Sequence, residues 1–352
     1  MSNSAFVFIK PHAVTDQTIK LVRDHFVNRG LTVDSEGKID AKTIESKQLI
    51  DNHYYAIASK ATLLKPSELN IPKDKFESKF GLSWDDALSQ GKCFNALDAA
   101  AKLGLSASEL DQLWAKTKKA GKLIKFGGGF YCGEVEPGMY VFNGFFMSMR
   151  EKYVKEGASI YYFTVTWPES KYSWADFRSE VLGATDPNDA PPTSIRNIIL
   201  KLWKDLGLED QPNVGDNGVH ASASPLEAFC ERRNWLGVQT KDDVFGSVLA
   251  SVGYSEETLE NYAKDPQVTP LGGHEKGSLW DYLEDRDTSE VLGMMLPGQV
   301  IGSANGSAGF CPKSAAVGAL IGAIGAWYMF SKDWAYEGPI LLLAQVRLTK
   351  TT

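Results

Sequence analysis

One stretch of the 352-residue chain places a histidine immediately before a predicted helix. Ser224 is a typical N-cap residue, Pro225 suits the first helical position, and Glu227 completes a capping box three residues after the serine. His220 precedes this helix start, where unpaired N–H groups and the partial positive charge of a helix favour an anion such as phosphate. The imidazole therefore lies where a nucleophile could meet a phosphoryl group.

Glu231 is the second residue of interest, because it lies one turn beyond Glu227 on the same helix face. Its carboxylate could reach back to an imidazole N–H of His220. A carboxylate on one ring nitrogen fixes the tautomer and leaves the other nitrogen free as a nucleophile. A histidine in this setting is also typical of a partly buried structural residue, and the stretch alone leaves both interpretations open.

Composition limits the classes of function. The net charge of −7 argues against a general nucleic-acid binder, which needs a basic surface. The N-terminal residues lack the charged and long apolar regions of a signal peptide, so we expect a cytoplasmic protein. The cysteines are widely scattered and show neither a metal-binding nor a disulfide pattern, which predicts free thiols. They are Cys93, Cys132, Cys230 and Cys311.

An uncharged apolar run, Ala315–Phe330, is the candidate membrane segment of the sequence. It is shorter than the roughly 20 residues needed to cross a bilayer. Gly318 and Gly322 form a small-residue pattern that allows close helix packing in membranes and in soluble cores alike. We expect a buried helix and no membrane span.

Short elements surround the histidine stretch on both sides and must position it. Buried strands are predicted by apolar or β-branched runs, and helices by apolar residues at helical spacing between capping and stop residues. In chain order they are a strand at Ala5–Ile9, a helix from Thr15 or Asp16 to Gly30, a strand at Leu31–Ile39, helices at Ala41–Ser59 and Phe145–Tyr153, a strand at Ser159–Trp167, and helices at Ser173–Val181 and Ile195–Leu206.

Two further segments differ in character. Residues 60–137 are predicted to be a helical insert, with a helix at Asn95–Leu103 and a capping box at Ser106 and Glu109 that starts another. The Gly127–Gly129 run matches no phosphate-loop pattern and indicates a flexible turn. Residues 241–352 form an extension of unknown role, with acidic helices, a Gly/Ser/Ala-rich stretch at Gly302–Gly309 and a last strand at Ile340–Leu348.

Six short motifs, taken together and in order, resemble those of nucleoside diphosphate kinases. The resemblance covers about residues 4–58 and 140–240, and Glu231 stands eleven residues after the histidine, as the orienting glutamate of that family does. The matching stretches are Val7–Val14 (I-K-P-D-G-V in the family), Asn52–Tyr54 (H-Y), Gly144–Phe146 followed by Tyr153 (P-F-F…Y), Leu182–Pro187 followed by Arg196 (L-G-x-T-[ND]-P…I-R), Asn217–Ser222 (N-x-x-H-G-S) and Glu231 itself.

The resemblance implies an α+β fold of residues 1–59 and 138–240, a ferredoxin-like four-stranded antiparallel sheet with helices on one face. It also implies that His220 takes the γ-phosphate of a nucleoside triphosphate, holds it as phosphohistidine and passes it to a nucleoside diphosphate. Mg²⁺ would bridge the phosphates rather than bind protein ligands. The implied roles are charge neutralisation for Lys10 and Arg196, positioning for Tyr54, ribose and phosphate contacts for Asn217 and Thr185, base stacking for Phe145, and a hydrogen bond from Ser222 to Glu231.

Several of these residues also have a simpler interpretation. Tyr54 and Phe145 are equally typical of core aromatics, Asn217 of a turn, and Thr185 of a cap. The remaining histidines lack a comparable setting and are interpreted as surface or packing residues; they are His12, His25, His53 and His274.

The chain also departs from the family pattern. Ser179 stands where the family has an arginine; Arg178 is its neighbour, but one residue along a helix turns a side chain by about 100°. A second family arginine is replaced by Asn143, and Ala13, Ala221 and Ala223 replace two glycines and an aspartate. These losses support an alternative, a protein of the same fold that has lost much of its catalysis. It would act as a structural or scaffolding component that binds partners in an oligomer or larger assembly through its insert and extension.

Overall fold

The structure, a computed structural model, describes residues 1–127, 129–269 and 276–295. The strands in these residues are β1 Ser2–Ile9, β2 Thr32–Asp40, β3 Cys93–Asn95, β4 Leu123–Gly127, β5 Phe130–Glu136, β6 Met139–Phe142, β7 Ser159–Pro168, β8 Val219–Ala221, β9 Gln267–Val268 and β10 Gly277–Ser278. The α-helices are α1 Asp16–Asn28, α2 Ala41–Ser46, α3 Leu49–His53, α4 Tyr55–Ala58, α5 Lys73–Phe80, α6 Trp84–Ser89, α7 Ala96–Leu103, α8 Ala107–Lys119, α9 Phe146–Val154, α10 Trp174–Asp176, α11 Ile195–Leu202, α12 Pro225–Leu236, α13 Val244–Ser251, α14 Glu256–Tyr262, α15 Leu279–Leu283 and α16 Thr288–Met294.

The main sheet has the strand order β2-β7-β1-β8, and every neighbouring pair is antiparallel. With the added segments set aside, the chain runs β1-α1-β2-β7-α11-β8, the β-α-β-β-α-β arrangement of a ferredoxin-like fold. The predicted α+β class and the four-stranded antiparallel sheet are therefore confirmed. β1 lies at the centre because its residues are apolar on both faces, as a strand covered on both sides requires.

Helices cover both faces of this sheet, not one as the resemblance implied. Val7 and Ile9 point into a core that α1 and α11 complete. Phe6 and Phe8, on the opposite face because side chains alternate along a strand, pack against residues of α2, α3, α9 and α12. The reason is the burial of Phe6 and Phe8, whose rings require an apolar cover of their own.

The insert contains a second sheet, which corrects the prediction of a helical segment. β3, β6, β5 and β4 lie in this order, with β3 parallel to β6 and the other pairs antiparallel. This sheet extends to Phe142, past the predicted end of the insert at residue 137. The predicted turn in the glycine run is present between β4 and β5, where Gly129 has a φ of 61°. The capping box of Ser106 and Glu109 is also confirmed.

The predicted helix at Ala41–Ser59 is divided into α2, α3 and α4. Gln48 has a left-handed φ of 53°, and Tyr54 leaves helical geometry at ψ 39°. The divisions turn the chain twice within a few residues, and they direct His53 and Tyr54 toward the face of the main sheet that carries Phe8.

Within the described ranges, no helix is both long and apolar enough to cross a membrane. The apolar run Ala315–Phe330, the stretch Gly302–Gly309, the predicted strand Ile340–Leu348 and two single residues, His274 and Cys311, lie outside the described residues. The other cysteines are free thiols, as predicted, and all three are buried.

Candidate active site

β1 and β8 place the histidine on the sheet. Phe8 and His220 are direct cross-strand partners, and their rings stack with centroids 4.7 Å apart at 28°. The Lys10 backbone N–H donates to the Gly218 carbonyl at 2.9 Å, which extends the pairing by one bond. Because Lys10 follows Phe8 by two residues in extended backbone, its side chain lies on the same face as the imidazole. Lys10 and His220 therefore share one side of the sheet although they are far apart in the chain.

Glu231 lies behind the imidazole on α12. Nε2 of His220 and Oε1 of Glu231 are 2.6 Å apart, a short hydrogen bond. Ser224 caps the helix by accepting the N–H of Glu227 at 3.2 Å, as predicted. The second half of the predicted capping box is different, because the Glu227 carboxylate accepts the N–H of Ala223 at 3.1 Å rather than that of Ser224.

Ser222 fixes the other oxygen of the orienting carboxylate. Its hydroxyl donates to Oε2 of Glu231 at 2.5 Å and accepts the backbone N–H of Phe6 at 3.1 Å. Both oxygens of Glu231 thus have donors, and the side chain is 2% exposed. A carboxylate held this way keeps the proton of the imidazole on Nε2, which leaves the lone pair of Nδ1 available.

The electrostatics favour a neutral imidazole. Burial lowers the pKa of His220 well below its usual value, and the cations Lys10, Arg196 and Arg178 lower it further. Burial raises the pKa of Glu231 to about 7, against the opposing effects of His53 and Ser222. A neutral imidazole whose other nitrogen carries a lone pair is the form that attacks phosphorus.

Two predicted cations, Lys10 and Arg196, face this imidazole. Burial, followed by repulsion from Arg196, lowers the pKa of Lys10 to about 8, and its Nζ donates to the Gly215 carbonyl at 3.1 Å. Arg196 donates Nη1 to the Gly183 carbonyl at 2.8 Å and Nη2 to the Val219 carbonyl at 3.0 Å. These bonds hold the guanidinium rigidly beside β8 and leave one N–H on each terminal nitrogen.

Arg178 lies beside the segment that follows His220, although a one-residue shift along an α-helix predicts that it turns away: its Nη1 is bonded to Asp285, whose backbone N–H donates to the Ala223 carbonyl at 2.9 Å. The segment Phe177–Leu182 is a π-helical turn, in which the N–H of Gly183 donates to the Arg178 carbonyl at 3.0 Å. A π-turn holds one residue more than an α-turn and so changes the register by one. Arg178 consequently lies near enough to lower the pKa values of His220 and Arg196.

His53 belongs to the site, whereas the sequence predicts a surface or packing residue. Its side chain is 3% exposed, and its Nδ1 lies 3.3 Å from Oε1 of Glu231. Its ring meets the imidazole of His220 edge-on, with centroids 4.6 Å apart. Burial lowers the pKa of His53 to about 3, so this ring is neutral. The sequence feature that could have indicated a role for His53 is its position in the stretch that resembles the H-Y pair of the family. His12 and His25 are half-buried.

Tyr54 and Asn217 also lie near the histidine. The ring of Tyr54 contacts that of His53 edge-on at 4.5 Å, its hydroxyl is hydrogen-bonded to Tyr153, and burial raises the pKa of Tyr54 to about 12. Asn217 is 2% exposed and donates Nδ2 to the backbone carbonyl of Thr185 at 2.9 Å. Its Oδ1 has no partner among the described residues. Thr185 itself is exposed at the surface.

The structure places Phe145 in the insert's aromatic cluster. Its ring is half-buried and contacts Trp114 and Tyr131, with centroids 6.1 and 5.9 Å away. These contacts are those of a packing residue, and base stacking remains a prediction. Asn143, where the family has an arginine, is fully buried and bonded to the backbone of Tyr131, Ile57 and Gly129.

His53, His220 and Glu231 also form a group whose donor atoms lie within 4.8 Å of one another, close enough to consider a metal ion. The 2.6 Å hydrogen bond between His220 and Glu231 occupies two of these atoms. The indole N–H of Trp235 donates to Nδ1 of His53 at 3.3 Å and so uses its lone pair. The arrangement fits an oriented imidazole better than a metal centre.

Comparison with protein families found no matching family model, and comparison with curated proteins found no match. Among solved structures, the chain is similar to an apo nucleoside diphosphate kinase from Encephalitozoon cuniculi, with 14% identity, 68% of this chain and 92% of that chain covered, and a TM-score of 0.34. An NDP kinase from Pyrobaculum aerophilum has 18% identity, with 69% of this chain and 98% of that chain covered and a TM-score of 0.34. The nucleoside diphosphate kinase from Borrelia burgdorferi with bound vanadate and ADP has 16% identity, with 69% of this chain and 90% of that chain covered and a TM-score of 0.31. At these TM-scores the similarity gives no functional information about this chain.

Proposed function

We propose that the chain is a phosphotransferase of the nucleoside diphosphate kinase type, with His220 as the residue that carries the phosphoryl group. The observation that supports this most directly is the 2.6 Å bond between Nε2 of His220 and Glu231. It orients the ring and directs reactivity to Nδ1, which has no hydrogen-bond partner among the described residues. The substrates are a nucleoside triphosphate, as its Mg²⁺ complex, and a nucleoside diphosphate.

In the first step, Nδ1 attacks the γ-phosphorus as the bond from that phosphorus to the β–γ bridging oxygen breaks. The electron pair of the broken bond stays on the diphosphate, which leaves. Nε2 keeps its proton, and Glu231 stabilises the positive charge that the ring acquires. In the second step, a terminal oxygen of an incoming diphosphate attacks the phosphorus, and the N–P bond breaks.

Fixed cations stabilise the charge that develops on the transferring group. Lys10 lies on the imidazole side of the sheet, and Arg196 is bonded to the Val219 carbonyl next to His220. In this proposal Arg178, whose charge lowers the pKa of His220, supplies a third cation. Such preorganised donors contribute most when they are partly desolvated, because they need little reorganisation during the reaction. In this proposal, the two terminal N–H groups of Arg196 that are not bonded to backbone carbonyls donate to phosphate oxygens.

Asn217 is assigned to nucleotide binding. Its Oδ1 is buried and unpartnered among the described residues, and a buried acceptor without a donor is costly. A ribose hydroxyl would supply the missing donor. Tyr54 would position the phosphate or the imidazole, and the exposed Thr185 side chain would contact a phosphate.

The test is to incubate the full chain with Mg²⁺ and γ-labelled ATP and to look for acid-labile, base-stable label on the protein. We expect label on the wild type and on His25→Ala, a control histidine on α1, and none on His220→Ala. Adding unlabelled GDP should move the label to GTP. Absence of label at every protein concentration, or label that persists in His220→Ala, would refute the proposal and favour the structural, partner-binding role.

A further inference from the structure

Arg178 is held by two acidic side chains of the C-terminal extension. Its Nη1 donates to Oε1 of Glu284 at 2.6 Å and to Oδ1 of Asp285 at 2.7 Å. The two carboxylate oxygens use both N–H groups of Nη1, donors that a phosphate oxygen would otherwise accept. The extension therefore occupies a cation that the proposed phosphotransfer requires.

The acid pair is carried by a segment that is anchored to the site. The backbone N–H of Asp285 donates to the Ala223 carbonyl at 2.9 Å, three residues after His220. Asp285 has a left-handed φ of 62°, a conformation that few residues besides glycine, asparagine and aspartate adopt. A residue held in this conformation, with its N–H on the site and its carboxylate on Arg178, is specifically positioned.

Further bonds fix the segment just beyond the acid pair. Oδ1 of Asp287 accepts the backbone N–H of Trp174 at 2.6 Å and Nδ2 of Asn3 at 2.7 Å. Oδ1 of Asn3 in turn accepts the N–H of Thr288 at 2.9 Å. These contacts join the extension to the first strand and to α10, immediately before the π-turn. They keep the acid pair beside Arg178 at a high effective concentration.

The ion pairs are nevertheless exposed enough to exchange. The side chains of Glu284 and Asp285 are 42% and 47% exposed, and that of Arg178 is 28% exposed. Exposed ion pairs are individually weak, because water and salt screen them. A polyphosphate carries more charge and more acceptor oxygens than two carboxylates, so it can displace them.

We propose that Glu284 and Asp285 act as a built-in competitor for phosphate at Arg178. This inference rests on the proposed function, since it concerns the regulation of the same site. While the acid pair holds Arg178, the site lacks one of its cations and binds nucleotide weakly. When a di- or triphosphate takes Arg178, the acid pair is released from it. The apparent affinity for phosphate is thus reduced by the fraction of molecules in which the pair is closed.

The test compares pyrophosphate binding by the wild-type full chain and by Glu284→Gln/Asp285→Asn, measured by calorimetry. Asparagine tolerates the left-handed conformation of position 285, so the variant should fold. We expect it to bind pyrophosphate about tenfold more tightly, within the usual range of coupling between sites. The control variant, Glu257→Gln/Glu260→Gln, changes two exposed acids of α14 and should bind like the wild type.

A second comparison uses Arg178→Met. In this background the two substitutions at 284 and 285 should leave the pyrophosphate affinity unchanged, because the competitor has lost its target. Equal affinities of the wild type and the acid-free variant would overturn the inference, as would an equal gain in the control or in the Arg178→Met background. If affinity rises but His220 takes no label from ATP, competition stands and the proposed function fails. If His220 is labelled while affinity is unchanged, the function stands and competition fails.

Discussion

The ring of Phe8 stacks on the imidazole of His220, with centroids 4.7 Å apart and planes 28° from parallel. Lys10 directly follows the strand that carries Phe8, so one short stretch of chain sets both the plane of the nucleophile and the position of a cation. His53 meets the same imidazole edge-on. Phe8 and His53 therefore pack against the imidazole from two sides, and Glu231 is hydrogen-bonded to its Nε2.

Phe8→Leu should slow phosphohistidine formation about tenfold to a hundredfold, because small misplacement of a reacting group is costly in rate. ADP affinity, measured by calorimetry, should stay the same. Phe6→Leu is the matched control: Phe6 lies two residues earlier on the same face but stacks on Tyr162 and Trp235. Both variants should lose stability to a similar extent, and only Phe8→Leu should lose rate. Equal loss of rate in the two variants would show that the stack has no orienting role.

The pH dependence of His220 phosphorylation should be a narrow bell. Glu231, with a pKa of about 7, must be ionised; when protonated it donates to Nε2, and the proton of the imidazole then blocks Nδ1. The rate should therefore rise as the pH passes upward through about 7. Lys10, with a pKa of about 8, loses its charge above that value, so the rate should fall again. The apparent limits belong to the coupled site rather than to single residues.

Two variants test which residue causes the acidic limb and which causes the alkaline limb of this pH profile. Lys10→Arg keeps its charge across the accessible range and should remove the alkaline limb. Glu231→Gln cannot ionise and should remove the acidic limb, with a rate reduced on the order of 10²-fold. Single-turnover label incorporation between about pH 5.5 and 9.5 measures both. An alkaline limb that persists unchanged in Lys10→Arg would contradict the assignment to Lys10.

Asn217→Ala should weaken ADP binding about tenfold, because the variant lacks the acceptor assigned to a ribose hydroxyl. Stability should change by less than about 1 kcal/mol, since the substitution removes one hydrogen bond and also one unpartnered buried oxygen. Asn197→Ala is a close match: its Nδ2 donates to the Pro187 carbonyl, and its Oδ1 is likewise unpartnered among the described residues. Its ADP affinity should equal that of the wild type. A shared loss of affinity would refute the specific role of Asn217.

The sequence predicted those features that depend on local patterns. The capping serine and proline located the start of α12, and the spacing between His220 and Glu231 predicted their pairing. The apolar run of β1 and the β-branched and aromatic run of β7 predicted the central strands. In each case the physical cause, a cap or a period, lies within a few residues of its effect.

Features that depend on register or on distant partners were missed. The π-turn at Arg178 adds one residue to a turn, and apolar spacing over so short a segment does not reveal it. The parallel pairing of β3 with β6 joins residues that are separated by two helices and two strands, so no local pattern predicts it. The docking of Asp285 against Ala223 is longer in range still. Whether residues so far apart in the chain come into contact depends on tertiary packing, which is difficult to predict from a single sequence.

Asn143 shows why a departure from a family pattern can have a structural cause. It is fully buried with a left-handed φ of 48°, where asparagine is among the few tolerated residues. Its Oδ1 accepts the N–H of Tyr131 at 2.8 Å, and its Nδ2 donates to the carbonyls of Ile57 and Gly129 at 2.9 and 2.7 Å. These bonds tie the second sheet to the segment that enters the insert, so an arginine at this position would lose them.

Asn143→Ala should therefore lower the free energy of unfolding by about 3 kcal/mol or more, through unpaired buried backbone groups and left-handed strain. Urea denaturation measures this loss. Asn143→Gly removes the same bonds without the strain and should be less destabilising than the alanine variant by about 1 kcal/mol. The rate of His220 labelling per folded molecule should change little in either variant, because Asn143 contacts the insert and not the imidazole. A loss below about 1 kcal/mol in Asn143→Ala would show that these bonds do not hold the insert in place.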